Sequence, residues 1–128
     1  MGKWSVDPKS EDGILRLSLE GAMSLDDMKA FVAAHNEAIK GYKGDDYRVF
    51  CDIRHLSPLK PECAEVMEAA KTFSSSQPNF RGSAVWVQSS IVAMQHKRTS
   101  ESGGVMDTEL ISADEAALRK HLKDVFRR

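Results

Sequence analysis

Cysteine, proline and aromatic residues are all scarce in this 128-residue chain, which has two, four and a 7% share of them respectively. Two cysteines, Cys51 and Cys63, build no disulfide framework and suit a reducing compartment. With no Pro/Gly-rich linker, repeat or low-complexity tract, nothing divides the chain, so one domain is expected over residues 1–128. No apolar run approaches the roughly 18–20 residues needed to cross a bilayer, so no membrane span is expected. The first eight residues contain no apolar core of a secretory signal, and Val6 stands where a myristoylation motif wants Ser or Thr. Excess charge is missing too: a net −1 and a pI near 6.4 create no global field toward nucleic acid or anionic lipid. The expectation is a cytoplasmic globular domain with no nucleic-acid partner.

What is present is an alternation of two periods. Trp4 and Val6, then Leu15, Leu17 and Leu19, recur every second residue around a turn signal at Asp12-Gly13, which predicts a β-hairpin with a loop over 8–13. Ser24 reads as an N-cap, with Asp26 and Asp27 in the first turn of a helix whose stripe is Leu25, Met28, Phe31, Val32, His35, Ala38 and Ile39. Val49, Phe50, Cys51 and Ile53 form the continuous apolar run of a central strand over 48–53. Pro61 fits the first turn of a second helix with Cys63, Val66, Met67, Ala70 and Phe73 inward.

Further strands are predicted over 84–88 and 106–111, separated by a short helix from Ile91 to Thr99 that stops at Gly103-Gly104. Ser89 or Ser90 caps that helix. Ser112 and Glu115 read as a capping box opening a last helix, with Leu118, Leu122, Val125 and Phe126 inward and Arg119, Lys120, Lys123, Arg127 and Arg128 at its negative end. The order β-β-α-β-α-β-α-β-α predicts an α/β fold. Its five-stranded sheet is mostly parallel, with one antiparallel edge strand and helices on both faces.

This element order, together with the segment from Val49 through Asp52, Arg54 and His55 to Pro58, resembles the STAS domains, the anti-sigma-factor antagonist fold, and the related SEC14-like fold. The resemblance covers most of the chain in element order but only one short motif in residues. It implies a central strand ending in Asp, here Asp52, and an Asp-Ser pair opening the next helix whose Ser is the phosphorylation switch. At that spacing this sequence has Lys60 and Pro61, so the switch is not expected in its usual place, and Ser57 is the nearest hydroxyl.

Asp52, Arg54, His55 and Ser57 follow the predicted central strand, and ligand sites in open α/β sheets form at such carboxyl ends. Arg54 and His55 present donors suited to an anion or an acidic partner. Equally, Asp52 caps loop N–H groups while Arg54 and His55 are simply exposed. Ser89 approaches the same edge, and the short third helix carries Gln95 and Arg98 as a candidate partner-binding surface. Trp86 reads as core, and His35 and His121 as histidines at the core edge.

Catalytic patterns are missing. The Arg after Cys51 arrives at 54, too early for a tyrosine-phosphatase loop, and there is no nucleophile elbow, P-loop or dinucleotide fingerprint. Cys51, His55 and Cys63 match no common zinc spacing. The reading is therefore a non-enzymatic, STAS-like interaction module without a cofactor, in bacterial-type signalling, whose partner is another protein; a second copy of the chain is left open. The alternative is a small-ligand domain holding a nucleotide or lipid at the strand ends.

Overall fold

Alternation of Leu15, Leu17 and Leu19 with Arg16 and Ser18 drives the leucines to one face of a strand, and the whole architecture is built on that face. A computed structural model describes residues 2–125. Strands β1 (Lys3–Glu11) and β2 (Ile14–Glu20) form an antiparallel hairpin. Then follow α1 (Leu25–Lys40), β3 (Tyr47–Asp52), α2 (Pro61–Ser75), β4 (Phe80–Trp86), α3 (Ser90–Gly103), β5 (Glu109–Ser112) and α4 (Glu115–Val125). The sheet order is β1-β2-β3-β4-β5, and β2 through β5 run parallel. The expected fold class is what the structure shows.

Strands added in sequence order by right-handed crossovers send each crossover helix to the same face. Leu15, Leu17, Leu19, Val49, Cys51 and Val85 accordingly pack with Met28 and Phe31 of α1, Met67 of α2 and Val92 of α3 in one large core. Among the described residues the opposite face is covered by α4 alone, whose Leu118 and Leu122 close over Ile14, Phe50 and Ala84. Polar contacts anchor this lone helix. The Arg48 guanidinium donates to the Leu122 carbonyl at 2.6 Å, near the helix's negative end. Arg119 reaches Glu11 at 2.7 Å and lies 4.5 Å over the Phe50 ring.

Local chemistry explains the boundaries. Ser24 and Asp27 form a reciprocal capping box on α1, and Pro61 stands at the start of α2. Four boundaries differ from the sequence expectation. β1 continues to Glu11 instead of ending at a loop over 8–13: Asp7 accepts from the Lys9 and Ser10 amides, so a bulge absorbs Pro8. Gly13, at φ 69°, makes the tight turn. β4 spans Phe80–Trp86, earlier than 84–88. α3 runs on to Gly103, because Gly104 (φ 80°) supplies the left-handed stop. Residues 106–108 then form a 3-10 turn, and β5 begins only at Glu109. The cap of α4 also differs. Asp114 accepts from the Ala116 amide at 3.0 Å, while Ser112 bonds the Asp114 amide one step earlier. Asp114, not Ser112, caps the helix. Phe126, Arg127 and Arg128 lie outside the described residues.

Candidate functional site

The carboxyl ends of the parallel strands bring four connecting segments to one edge: 21–24, 53–60, 87–89 and 113–114. Segment 53–60 is stitched to the end of β2. The Gly21 amide donates to the His55 carbonyl at 2.9 Å, and the Ser57 amide to the Gly21 carbonyl at 3.0 Å. At its far end the Gln95 amide of α3 grips Leu59 in both directions: Leu59 N–H to Oε1 at 2.7 Å, and Nε2 to Leu59 carbonyl at 2.6 Å. The eight-residue connection 53–60 is thereby held at both ends by hydrogen bonds that tie it to neighbouring elements.

Asp52, the last residue of β3, accepts from Arg54 three times: from its amide at 3.1 Å, its Nε at 3.0 Å and its NH2 at 2.9 Å. The guanidinium carbon also lies over the Trp86 indole, 3.6 Å from the ring centre. Burial alone would raise the Asp52 pKa, but the hydrogen bonds and charge of Arg54, with His55, outweigh it and hold the carboxyl below its ordinary value. The Arg54 pKa is raised, chiefly by its hydrogen bonds to Asp52. Trp86, read from the sequence as core, is instead half-buried: its indole N–H donates to the Ala113 carbonyl at 3.3 Å, and its face carries Arg54.

The other candidates distribute unevenly. His55 and Ser57 are exposed on the same connection, His55 beside Lys3, Glu20 and Gly21. Ser89 caps α3, accepting from the Val92 amide at 3.3 Å. Gln95 is committed to Leu59. Arg98 lies about one helical turn further along α3, over the furrow between α2 and α3, away from the strand ends. His35 is buried, further in than the core edge the sequence suggested, and bonds Asn36 at 2.8 Å, while half-buried His121 bonds the Thr108 carbonyl at 2.9 Å.

Sequence reasoning missed the orientation of α3. Its buried residues are Val92, His96, Thr99, Ser100 and Gly103, mostly polar or small, whereas Ile91 and Met94 are 66% and 60% exposed. The cause lies beneath the helix. Lys71 of α2 points inward and donates to the His96 carbonyl at 3.1 Å, to Ser100 Oγ at 2.5 Å and to Glu109 at 3.5 Å. Ser83 donates to the other Glu109 oxygen at 2.9 Å, and Ser100 also bonds Glu109. Burial pulls the Lys71 pKa down to about 8 against the pull of Glu109, and burial, with Lys71, pushes His96 well below its ordinary value.

A lysine beside a serine invites a Ser–Lys catalytic reading, but the surroundings do not favour it. Ser100 is 2% exposed, so its hydroxyl is covered, and the cavity beside Lys71 and Glu109, which Ser100 does not line, measures about 40 Å³, room for roughly one to three waters. Burial raises the Cys51 thiol to about 12 and also raises Cys63; both are buried and free. Among the described residues no group of three or more His, Cys, Asp or Glu converges as a metal site, and no helix is long and apolar enough to cross a membrane. No known protein family matches the chain, and no curated protein matches it.

Proposed function

We propose that the domain is a non-catalytic, STAS-like protein-interaction module acting in bacterial-type cytoplasmic signalling, with its contact surface at the carboxyl edge of the sheet. The observation that carries this is the inverted helix α3, which turns Ile91 and Met94 to solvent one turn from the point where Gln95 holds segment 53–60. Burying one such side chain is worth roughly 1.5–3 kcal/mol, so two adjacent ones supply the apolar centre that interface anchors need. Around them the braced segment offers a polar rim: Arg54 held by Asp52 over Trp86, His55, Ser57 and the Ser89 end of α3. A rigid rim loses little entropy on binding. The proline at the start of α2 removes the hydroxyl on which the STAS family's phosphoswitch depends, so regulation by a kinase at that point is not part of this reading.

Affinity capture from the producing cell, with the wild type and the Ile91→Glu/Met94→Glu variant as parallel baits, tests the proposal. The expected result is at least one protein retained stoichiometrically by the wild type and depleted about tenfold or more with the variant. Equal recovery on both baits, or no protein enriched by the wild type, contradicts it.

A further inference from the structure

The furrow beside those exposed residues has a marked charge pattern. Four charged residues lie in α2: Glu62, Glu65, Glu68 and Lys71. Lys71 is turned into the core, so the charge that α2 shows to solvent is wholly acidic. Spaced three residues apart, the glutamates climb the outer side of the helix, and Glu65 and Glu68 form one wall of the furrow against α3. None of the three is in an ion pair among the described residues. The floor is Leu59, Pro61 and Ala64, and the opposite wall carries Gln95, Arg98 and Ser102. Helical spacing places Ile91 on the same ridge as Arg98, with Met94 beside it.

An apolar ridge next to an unpaired acidic wall and facing a single cation is a pattern that a helix can match and a flat surface cannot. We propose that the occupant is an amphipathic helix of a partner protein: apolar at i, i+3/i+4 and i+7, with Lys or Arg along the flank that meets Glu65 and Glu68. The inference rests on the reading that the exposed face of α3 binds a protein, and adds the chemistry of what binds there. The acidic wall fixes which way round the helix lies, because its basic flank must meet α2 and not Arg98.

Panning a displayed library of ~16-residue peptides, about four helical turns, against the folded domain reads the occupant directly. Enriched peptides are expected to show helical apolar spacing with a basic flank. Their synthetic forms should lose about tenfold in affinity for Glu65→Lys/Glu68→Lys and for Ile91→Glu/Met94→Glu. Glu65 is exposed and Glu68 half-buried, so Glu65→Gln/Glu68→Gln, with a smaller loss expected, replaces the charge reversal if that variant misfolds. Peptides that lose affinity with the Ile91/Met94 variant but are unmoved by the glutamate changes would overturn the acidic-wall inference and leave the protein-binding reading standing. Acidic peptides, peptides without helical spacing, or no enrichment overturn the inference as well. So does self-association of the domain through Met94 in sedimentation, which would make the occupant a second copy.

Discussion

Two ion pairs of similar chemistry sit in opposite surroundings. The Lys71 and Glu109 side chains are 9% and 4% exposed; those of Arg54 and Asp52 are 30% and 18% exposed. The first pair lies under α2, α3 and β5 and is completed by Ser83, Ser100 and the His96 carbonyl. The second closes a short chelate over Trp86 at the sheet edge. A charge removed from water needs every partner it has, because losing one leaves the rest uncompensated; a half-exposed charge recovers much of its loss from solvent. The buried pair therefore serves the fold, and it is also why α3 faces inward with its polar side. The exposed pair shapes a surface.

The largest effect that would break this comparison is on the buried side. Lys71→Ala or Glu109→Ala should each lower stability by about 3–5 kcal/mol in chemical denaturation. Lys71→Met with Glu109→Leu should recover much of that loss, since the two charges leave together. Asp52→Asn or Arg54→Ala should cost only a small fraction of it. Similar losses from both pairs would erase the distinction.

An acid titration sharpens the comparison further. His35 and His96 are buried, and burial lowers both pKa values below the ordinary 6.5. Between the folded pKa values and about 6.5 the unfolded chain binds more protons than the folded one. The histidines' share of the stability is therefore fully present above about pH 6.5 and falls as the pH drops below it. The carboxylates with lowered pKa, Asp7, Asp27 and Asp52, add their losses only below about pH 4. Urea midpoints between pH 5 and 7.5 should fall toward the acid end, and His96→Gln should flatten the slope. A flat profile in the wild type would show that neither histidine is kept neutral by the fold.

The smallest effect concerns the helix on the open face: Asp114→Ala should cost about 1 kcal/mol as a lost N-cap, and Ser112→Ala less. The reverse ranking would restore Ser112 as the cap.

The element order was legible because strand alternation, the Ser24 cap and Pro61 are local signals. Asp52 with Arg54 was legible as a pair for the same reason, being two residues apart. The inverted face of α3 was not. Periodicity assigns the apolar side of a helix to the core, and here Ser100 and Thr99 are buried because Lys71, some 29 positions before Ser100, points at that side from another helix. Ile91, Val92, Ala93 and Met94 spread around the helix, so its sequence alone marks no inner side. Trp86 was misplaced because the stretch around it, Ala84 to Val87, is apolar throughout, and only the stacking of Arg54 shows that its face reaches the edge.

The most direct test of the account is to measure, in one variant, both stability and binding. Ile91→Glu/Met94→Glu should leave the denaturation midpoint within about 0.5 kcal/mol of wild type, as exposed substitutions do. Calorimetric titration with the captured partner should show binding weakened at least tenfold. Intact binding, or a loss of stability large enough to account for the lost binding, would contradict the claim that α3 turns its apolar residues outward to be used.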